Sequence, residues 1–280
     1  MKRLLSIELQ KLWKNRASKV LILTYFILLS VIALLGSIKL TLFGVEFRVA
    51  DQGIYNFPYI WHFNTFVASV LKFFLAVVIT SMMANEYTYG TLKQNLIDGL
   101  SKSEFIRTKL YTVVLFAAAS TVFVFLLTLI LGYTFSSYNE TSIVFTGMEY
   151  IGAFFLKLSA FFAFCLFAGI LIKRSAFAIG FIVFWYIIEK ICWILYGVAG
   201  HNFDFDSKKT ILRFLPLESM SNLIKEPITR FNAYKAIEGQ VSGSVKEQFY
   251  GIHWDEVAIV MFWTAFFVYM SYWILKKRDL

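Results

Sequence analysis

Charged residues are scarce in this chain. Asp, Glu, Lys and Arg make up 16% of its 280 residues, whereas an average soluble domain contains about 25%. Hydrophobic residues reach 59%, and the mean hydropathy is +0.66. This composition is typical of an integral membrane protein and argues against a water-soluble enzyme.

Cysteine, histidine and proline are also rare. Cys165 and Cys192 both lie inside apolar segments, so they predict neither a disulfide framework nor a metal site. The three histidines lie near aromatic residues, in a pattern that does not indicate a metal site. All three prolines lie between the apolar segments, so no span is expected to carry a proline kink, and the sequence shows no interrupted span.

Nucleotide-binding and catalytic motifs are absent. The chain contains no G-x-x-x-x-G-K-[ST] phosphate loop, so it is not expected to hydrolyse ATP by itself. The H-E-x-x-H and G-x-S-x-G motifs are absent as well. We therefore expect no catalytic, cofactor-binding or metal-ligating residue in this chain.

Six apolar segments dominate the sequence. A helix needs about 20 mainly apolar residues to cross a bilayer, and each of the six reaches or nearly reaches that length. They cover residues 20–38, 66–84, 110–135, 150–172, 176–198 and 257–275. Because membrane-spanning backbone must satisfy its own hydrogen bonds, they predict an all-α polytopic protein with one transmembrane domain, residues 1–280.

The positive charges predict the orientation of these spans. If all six segments cross, fifteen Lys and Arg residues share a side with both termini, whereas the short segments on the other side hold only Lys39 and Arg48. The positive-inside rule then places both termini in the cytoplasm and residues 199–256 outside. The net charge of +9 is thus explained by membrane topology, and no nucleic-acid partner is expected.

The first 19 residues predict a helix that lies on the inner membrane surface before the first span. Leu5, Leu9, Leu12 and Trp13 share one face, which suits the boundary between lipid headgroups and hydrocarbon. A simple topology anchor and a functional elbow are both compatible with this pattern.

Residues 85–109 are the most informative polar segment. Thr91 with Gln94, and Ser101 with Glu104, form capping-box patterns that start helices, and Gly99 is a stop signal. They predict a short helix at about residues 92–98, followed by a turn and a second helix that enters the third span.

This segment carries a family resemblance. Its defining residues are Glu86, Gly90, Thr91, Leu92, Ser101, Arg107 and Lys109. In this order they resemble the first cytoplasmic loop of type-2 ATP-binding-cassette (ABC-2) transporter permeases. Residues 8–12 and 276–280 are similar to the elbow helix and the C-terminal end of the same family.

The resemblance implies that residues 85–109 contain a coupling helix, held by a separate cytoplasmic ATPase subunit that binds ATP and Mg. The residues that would form or brace this contact are Glu86, Gly90, Thr91, Leu92, Leu96 and Arg107. It also implies an exporter in the bacterial plasma (inner) membrane, paired with a second copy or a homologous permease. The alternative is a solvated loop whose capping boxes only start helices.

Four ionisable residues interrupt the spans: Lys72, Lys157, Glu189 and Lys190. They share one predicted layer of the bilayer, where charges usually pair inside a helix bundle. We predict that Glu189 pairs with Lys72 or Lys157. The alternatives are lysines that extend toward the membrane surface with their stems in lipid, and direct contact with a substrate.

Three functional hypotheses follow from these features. The first is an ABC exporter permease, the second is a transporter driven by an ion gradient with Glu189 as its titrating group, and the third is a membrane scaffold that recruits a partner through residues 85–109. The sequence does not choose among peptides, drugs, lipids, glycans and ions as substrate, nor between homodimer and heterodimer.

Overall fold

The computed structural model describes residues 2–36, 40–42, 45–47, 53–199, 211–230 and 250–278. Lys39, Arg48 and much of the predicted outer loop 199–256 lie outside the described residues, so the charge comparison across the membrane and the role of that loop stay predictions.

The described residues form eleven α-helices and one small hairpin. The elements are α1 (Lys2–Lys14), α2 (Arg16–Leu35), β1 (Leu40–Leu42), β2 (Val45–Phe47), α3 (Tyr59–Leu71), α4 (Phe73–Thr88), α5 (Thr91–Ile97), α6 (Lys102–Phe135), α7 (Thr141–Val144), α8 (Glu149–Ile172), α9 (Ser175–Ala199), α10 (Pro216–Asn222) and α11 (Trp254–Lys277). In this part of the chain, the antiparallel pair β1–β2 is the only sheet.

Five helical segments are long and apolar enough to cross a membrane, and the bent pair α3–α4 makes a sixth candidate. The prediction of an all-α polytopic membrane protein is therefore confirmed. The predicted orientation of the termini stays a prediction, because the length and composition of a helix do not define its direction across a bilayer.

The second predicted span is interrupted, a break that the sequence did not show. Helices α3 and α4 meet at Lys72 with a bend of 42°. No proline lies at the bend, but Ser69 and Thr65, about one and two turns before it, donate their hydroxyl protons to backbone carbonyls of α3. Hydroxyls that bond to helical carbonyls in this way commonly bend helices.

Helix α8 forms the centre of the bundle. In its most apolar window 72% of the residues are buried, compared with 17% for α9 and 22% for α11. Gly169 allows α4 to approach closely, because a Cβ atom at this position would lie 3.1 Å from the carbonyl oxygen of Thr80 and from Cβ of Met83. The low burial of α2, α9 and α11 leaves their apolar side chains to face lipid or another subunit.

Candidate functional site

Helices α1, α4, α5 and α6 converge at one end of the bundle, and we call it the α5 end. Gly90 separates α4 from α5 with a φ of +67°, a left-handed conformation that glycine adopts without steric cost. Leu92 is buried and Leu96 packs against the main core, so α5 is fixed to the bundle along one face.

Glu86 at the end of α4 lies at the centre of this site, and its side chain is almost completely buried. Its Oε1 atom accepts hydrogen bonds from Lys109 Nζ at 2.7 Å and from Lys11 Nζ at 3.1 Å. Its Oε2 atom accepts the hydroxyl proton of Thr91 at 2.5 Å. One carboxylate thus connects α1, α4, α5 and α6.

Glu8 completes the cluster from α1. Lys109 Nζ lies 2.5 Å from Glu8 Oε2, and Lys11 Nζ lies 3.1 Å from Glu8 Oε1. Two ammonium groups therefore face two carboxylates, and we call Glu8, Lys11, Glu86 and Lys109 the ion quartet. Buried charges are tolerated when they are paired in this way.

The environment of Lys11 shows how strongly the quartet is coupled. Partial burial lowers the pKa of its ammonium group, but attraction to the carboxylates of Glu8 and Glu86 outweighs burial and holds the pKa above its usual value. Lys11 therefore carries its positive charge at neutral pH.

The ion quartet was only partly visible in the sequence. Glu86 and Lys109 belong to the family resemblance, but Glu8 was not assigned to any site. A usable signal exists, because Glu8 lies on the same helical face as Leu5 and Leu12 and is the one acidic residue of α1. A charged residue on an otherwise apolar helical face indicates a buried partner.

The first predicted capping box does not form. Helix α5 begins at Thr91 with Gly90 as its N-cap, and no side chain caps it. The hydroxyl of Thr91 bonds to the carboxylate of Glu86 instead, because a hydrogen bond to a charged group is the stronger option. The second box, from Ser101 to Glu104, is present at the start of α6.

The α5 end also presents exposed side chains. Tyr89 and Ile97 are 75% and 76% exposed, and Lys93 and Arg107 are exposed as well. Among the predicted interface residues, Glu86 and Leu92 point into the bundle and can only brace a partner contact, while Arg107 is accessible to one.

The predicted ion pair of Glu189 was wrong. Its carboxylate accepts hydrogen bonds from Trp185 Nε1 at 2.8 Å and from the backbone amides of Leu217 and Glu218 at 3.0 and 2.8 Å. Within the described ranges it forms no ion pair with Lys72 or Lys157. It caps the free N-terminal amides of α10, which carry a partial positive charge.

The three intramembrane lysines have different environments. Lys157 is buried, and its Nζ atom lies 3.5 Å from the carbonyl oxygens of Ser221 and Ile224 at the C-terminal end of α10. Lys190 pairs with Glu218 of α10 at 2.9 Å. Lys72 instead places its Nζ atom 4.3 Å from the ring centre of Phe161.

Glu189, Lys157 and Lys190 therefore surround α10, while Lys72 lies apart from them against Phe161 of α8. Glu189 lies at the positive end of α10 and Lys157 at its negative end, which is the arrangement that the helix dipole favours. The sequence did not indicate it, because α10 lies in the segment between the fifth and sixth spans and its docking position depends on tertiary packing.

Comparison with known proteins agrees with this architecture. A search of curated proteins finds no match. The sequence model of a family described as "ABC-2 family transporter protein" matches residues 7–280, a range that contains the ion quartet, α5 and every candidate span. This match covers nearly the whole chain, so the chain belongs to the ABC-2 family of transporter proteins, as a multi-pass membrane permease.

Proposed function

We propose that this chain is the membrane-spanning subunit of an ABC exporter, and that α5 couples it to a separate ATPase. The observation that carries the proposal is the ion quartet. It ties the short helix α5, through Thr91 and Glu86, to α1 and α6 with buried ionic contacts.

The quartet makes α5 a rigid extension of the spans. A force on a flexible loop would be lost in bending, whereas α5 is held by Leu92 in the core and by Thr91 on the Glu86 carboxylate. A displacement of α5 is therefore transmitted to the adjoining ends of α4 and α6. This is the mechanical property that a coupling element needs.

The exposed side of α5 is the proposed docking face. Tyr89 and Ile97 supply apolar area, and Lys93 and Arg107 supply positive charge around it. An apolar centre with a polar rim is typical of protein interfaces. The partner we propose is a cytoplasmic ABC ATPase subunit, which binds ATP and Mg, since this sequence contains no phosphate loop.

The complete transporter requires more than one chain of this kind. We propose that two copies, or this chain and a homologous permease, pair in a bacterial plasma membrane with both termini in the cytoplasm. Helices α2, α9 and α11 supply apolar area for such pairing, because only 17–28% of their apolar windows is buried in the single chain.

Co-purification tests the coupling proposal. The chain is co-expressed with a cassette ATPase from the same genome, and Ile97→Asp is compared with Tyr138→Asp, an exposed position in the loop after α6. We expect the ATPase to be lost from Ile97→Asp and kept by Tyr138→Asp. Equal recovery of the ATPase with both variants would refute α5 as the docking element.

The bend at Lys72 favours a second candidate, a transporter driven by an ion gradient, because broken helices are common in that class. Against it, Glu189 already accepts three hydrogen bonds from the protein. Substrate flux in proteoliposomes that contain the chain alone, driven by an imposed proton gradient, would support this candidate over the exporter.

A further inference from the structure

Helices α1 and the first turn of α2 expose several basic side chains and no acidic one. The exposed basic residues are Lys2, Arg3, Lys11, Lys14, Arg16 and Lys19. Lys11 belongs to the ion quartet, and none of the other five forms an ion pair with a described residue. Glu8, the one acidic residue among the first 45, is buried in the quartet as well. The charge of this surface therefore favours an anionic partner.

Three of these cations lie together at the junction of α1 and α2. Lys14 directly precedes Asn15 and Arg16 directly follows it, while Lys19 lies one turn further along α2. Asn15 fixes the junction, because its Oδ1 atom accepts a hydrogen bond from the backbone amide of Ser18 at 3.2 Å and so caps α2. We call Lys14, Arg16 and Lys19 the basic patch.

Trp13 lies at the edge of the basic patch. Its indole ring is 53% exposed, and Lys19 Nζ lies 5.0 Å from the centre of the ring. An ammonium group at this distance is attracted to the ring face. Tryptophan is enriched where lipid headgroups meet hydrocarbon, so its position beside Lys19 indicates that the patch lies at headgroup level.

An apolar stripe begins directly beyond the basic patch. The exposed residues of α2 recur at a spacing of three or four and therefore share one face: Val20, Leu23, Ile27, Val31 and Leu34. Arg16 lies one turn before Val20, and Lys19 lies one turn before Leu23. The two cations thus stand at the head of an uncovered apolar face on a candidate span. A phospholipid has the same arrangement of a charged head on apolar chains.

We propose that the basic patch and this stripe bind an anionic phospholipid. The negatively charged headgroup lies between Arg16 and Lys19, Lys14 adds a third positive charge, and the acyl chains lie along the exposed face of α2. Clusters of basic residues at the cytoplasmic end of a span attract anionic lipid, and each Lys or Arg near the membrane surface adds to the affinity.

A second copy of the chain fits this face less well than a lipid does. A symmetric interface brings the same surface of both copies together, so pairing through this part of α2 would oppose the basic patches of the two copies. Helices α9 and α11 also carry little buried area and contain no such patch in their apolar windows, so they remain available for the proposed pairing.

The lipid site is independent of the proposed ATPase coupling. Glu8 and Leu12 are buried on the side of α1 that faces the bundle, whereas Trp13 and Lys14 are exposed. Binding of the lipid requires neither an ATPase nor a second permease. It can therefore be measured on the chain alone, and its failure would leave the coupling proposal intact.

A fluorophore on the stripe tests the proposal. Ile27→Cys carries a bimane label in a chain whose two native cysteines are replaced by alanine, and the label lies roughly 12 Å beyond Lys19 along α2. The chain is reconstituted in phosphatidylcholine nanodiscs that contain rising fractions of brominated phosphatidylglycerol or brominated phosphatidylcholine, because bromine quenches a fluorophore only on contact. We expect half-maximal quenching at a mole fraction about fivefold lower or more for phosphatidylglycerol.

Matched variants locate the site. Arg16→Gln together with Lys19→Gln should reduce the difference between the two brominated lipids to less than about twofold. Lys93→Gln together with Arg107→Gln is the control, because it removes the same two positive charges from exposed positions of α5 and α6. The control should keep the preference for phosphatidylglycerol, which separates a bound lipid from general attraction of anionic lipid to a basic protein.

Three results would overturn the proposal: equal quenching by the two lipids in the parent chain, a preference that survives Arg16→Gln with Lys19→Gln, or an equal loss in the control. If that variant does not fold, Lys14→Gln with Lys19→Gln takes its place, since both positions are exposed. An unchanged preference in this second variant would also overturn the proposal, and a reduced preference would support it.

Discussion

Lys109 and Glu86 form a buried ion pair of 2.7 Å that joins the N-terminal part of α6 to the last turns of α4. Neither side chain is appreciably exposed to solvent. The pair links the two spans that flank α5, so its integrity determines whether these spans move together. Removing one partner of a buried pair leaves the other charge uncompensated.

Lys109→Met should destabilise the chain by about 3–5 kcal/mol, because Glu8 and Glu86 would then share one ammonium group, that of Lys11. Thermal unfolding of the purified chain in detergent measures this effect. Lys93→Met on the exposed side of α5 removes the same charge and is the control. Similar unfolding temperatures for the two variants would contradict the structural role of the quartet.

Glu189→Gln should destabilise the docking of α10 by about 0.5–2 kcal/mol, because the N-terminal amides of α10 lose a charged acceptor. Limited proteolysis of the segment 211–230 in lipid nanodiscs, together with thermal unfolding, measures the loss. Lys190→Gln is the control. It removes a half-exposed ion pair, and such pairs contribute at most about 1 kcal/mol. A larger loss of stability in Lys190→Gln than in Glu189→Gln would contradict the role of Glu189 as the cap of α10.

Gly169→Val should lower the thermal stability, with a cost of about 1–3 kcal/mol for forcing α8 away from α4. The added side chain would meet the carbonyl oxygen of Thr80, which cannot move without displacing α4. Gly152→Val, on the same helix, is the control, because nothing lies within 4 Å of a Cβ atom there. If both variants unfold at the temperature of the parent chain, the close packing of α4 on α8 is wrong.

Membrane topology can be read from thiol labelling in a chain whose two native cysteines are replaced by alanine. Ile97→Cys at the end of α5 should react with a membrane-impermeant maleimide in inverted membrane vesicles but not in intact cells. A cysteine at position 213 should show the opposite pattern, because the positive-inside rule predicts residues 199–256 to be outside. Labelling of Ile97→Cys from outside the cell would remove the basis for ATPase coupling through α5.

The sequence predicted the local features of this protein well. Gly99, the predicted stop signal, follows α5 with a positive φ angle that other residues disfavour. Ser101 with Glu104 starts α6 by a reciprocal pair of local hydrogen bonds. In contrast, Thr91 with Gln94 satisfies the same sequence pattern but forms no capping box, because a tertiary partner takes the Thr91 hydroxyl.

By itself, the sequence determined the class of the protein, since the thickness of the hydrocarbon layer sets the length of each apolar segment. Only the tertiary structure decided which charges meet. Glu8 and Lys109 are 101 residues apart in sequence, and Glu189 caps a helix that begins 27 residues later. Such contacts depend on how each helix is rotated and packed against its neighbours, and hydrophobic periodicity within one helix does not encode that relation.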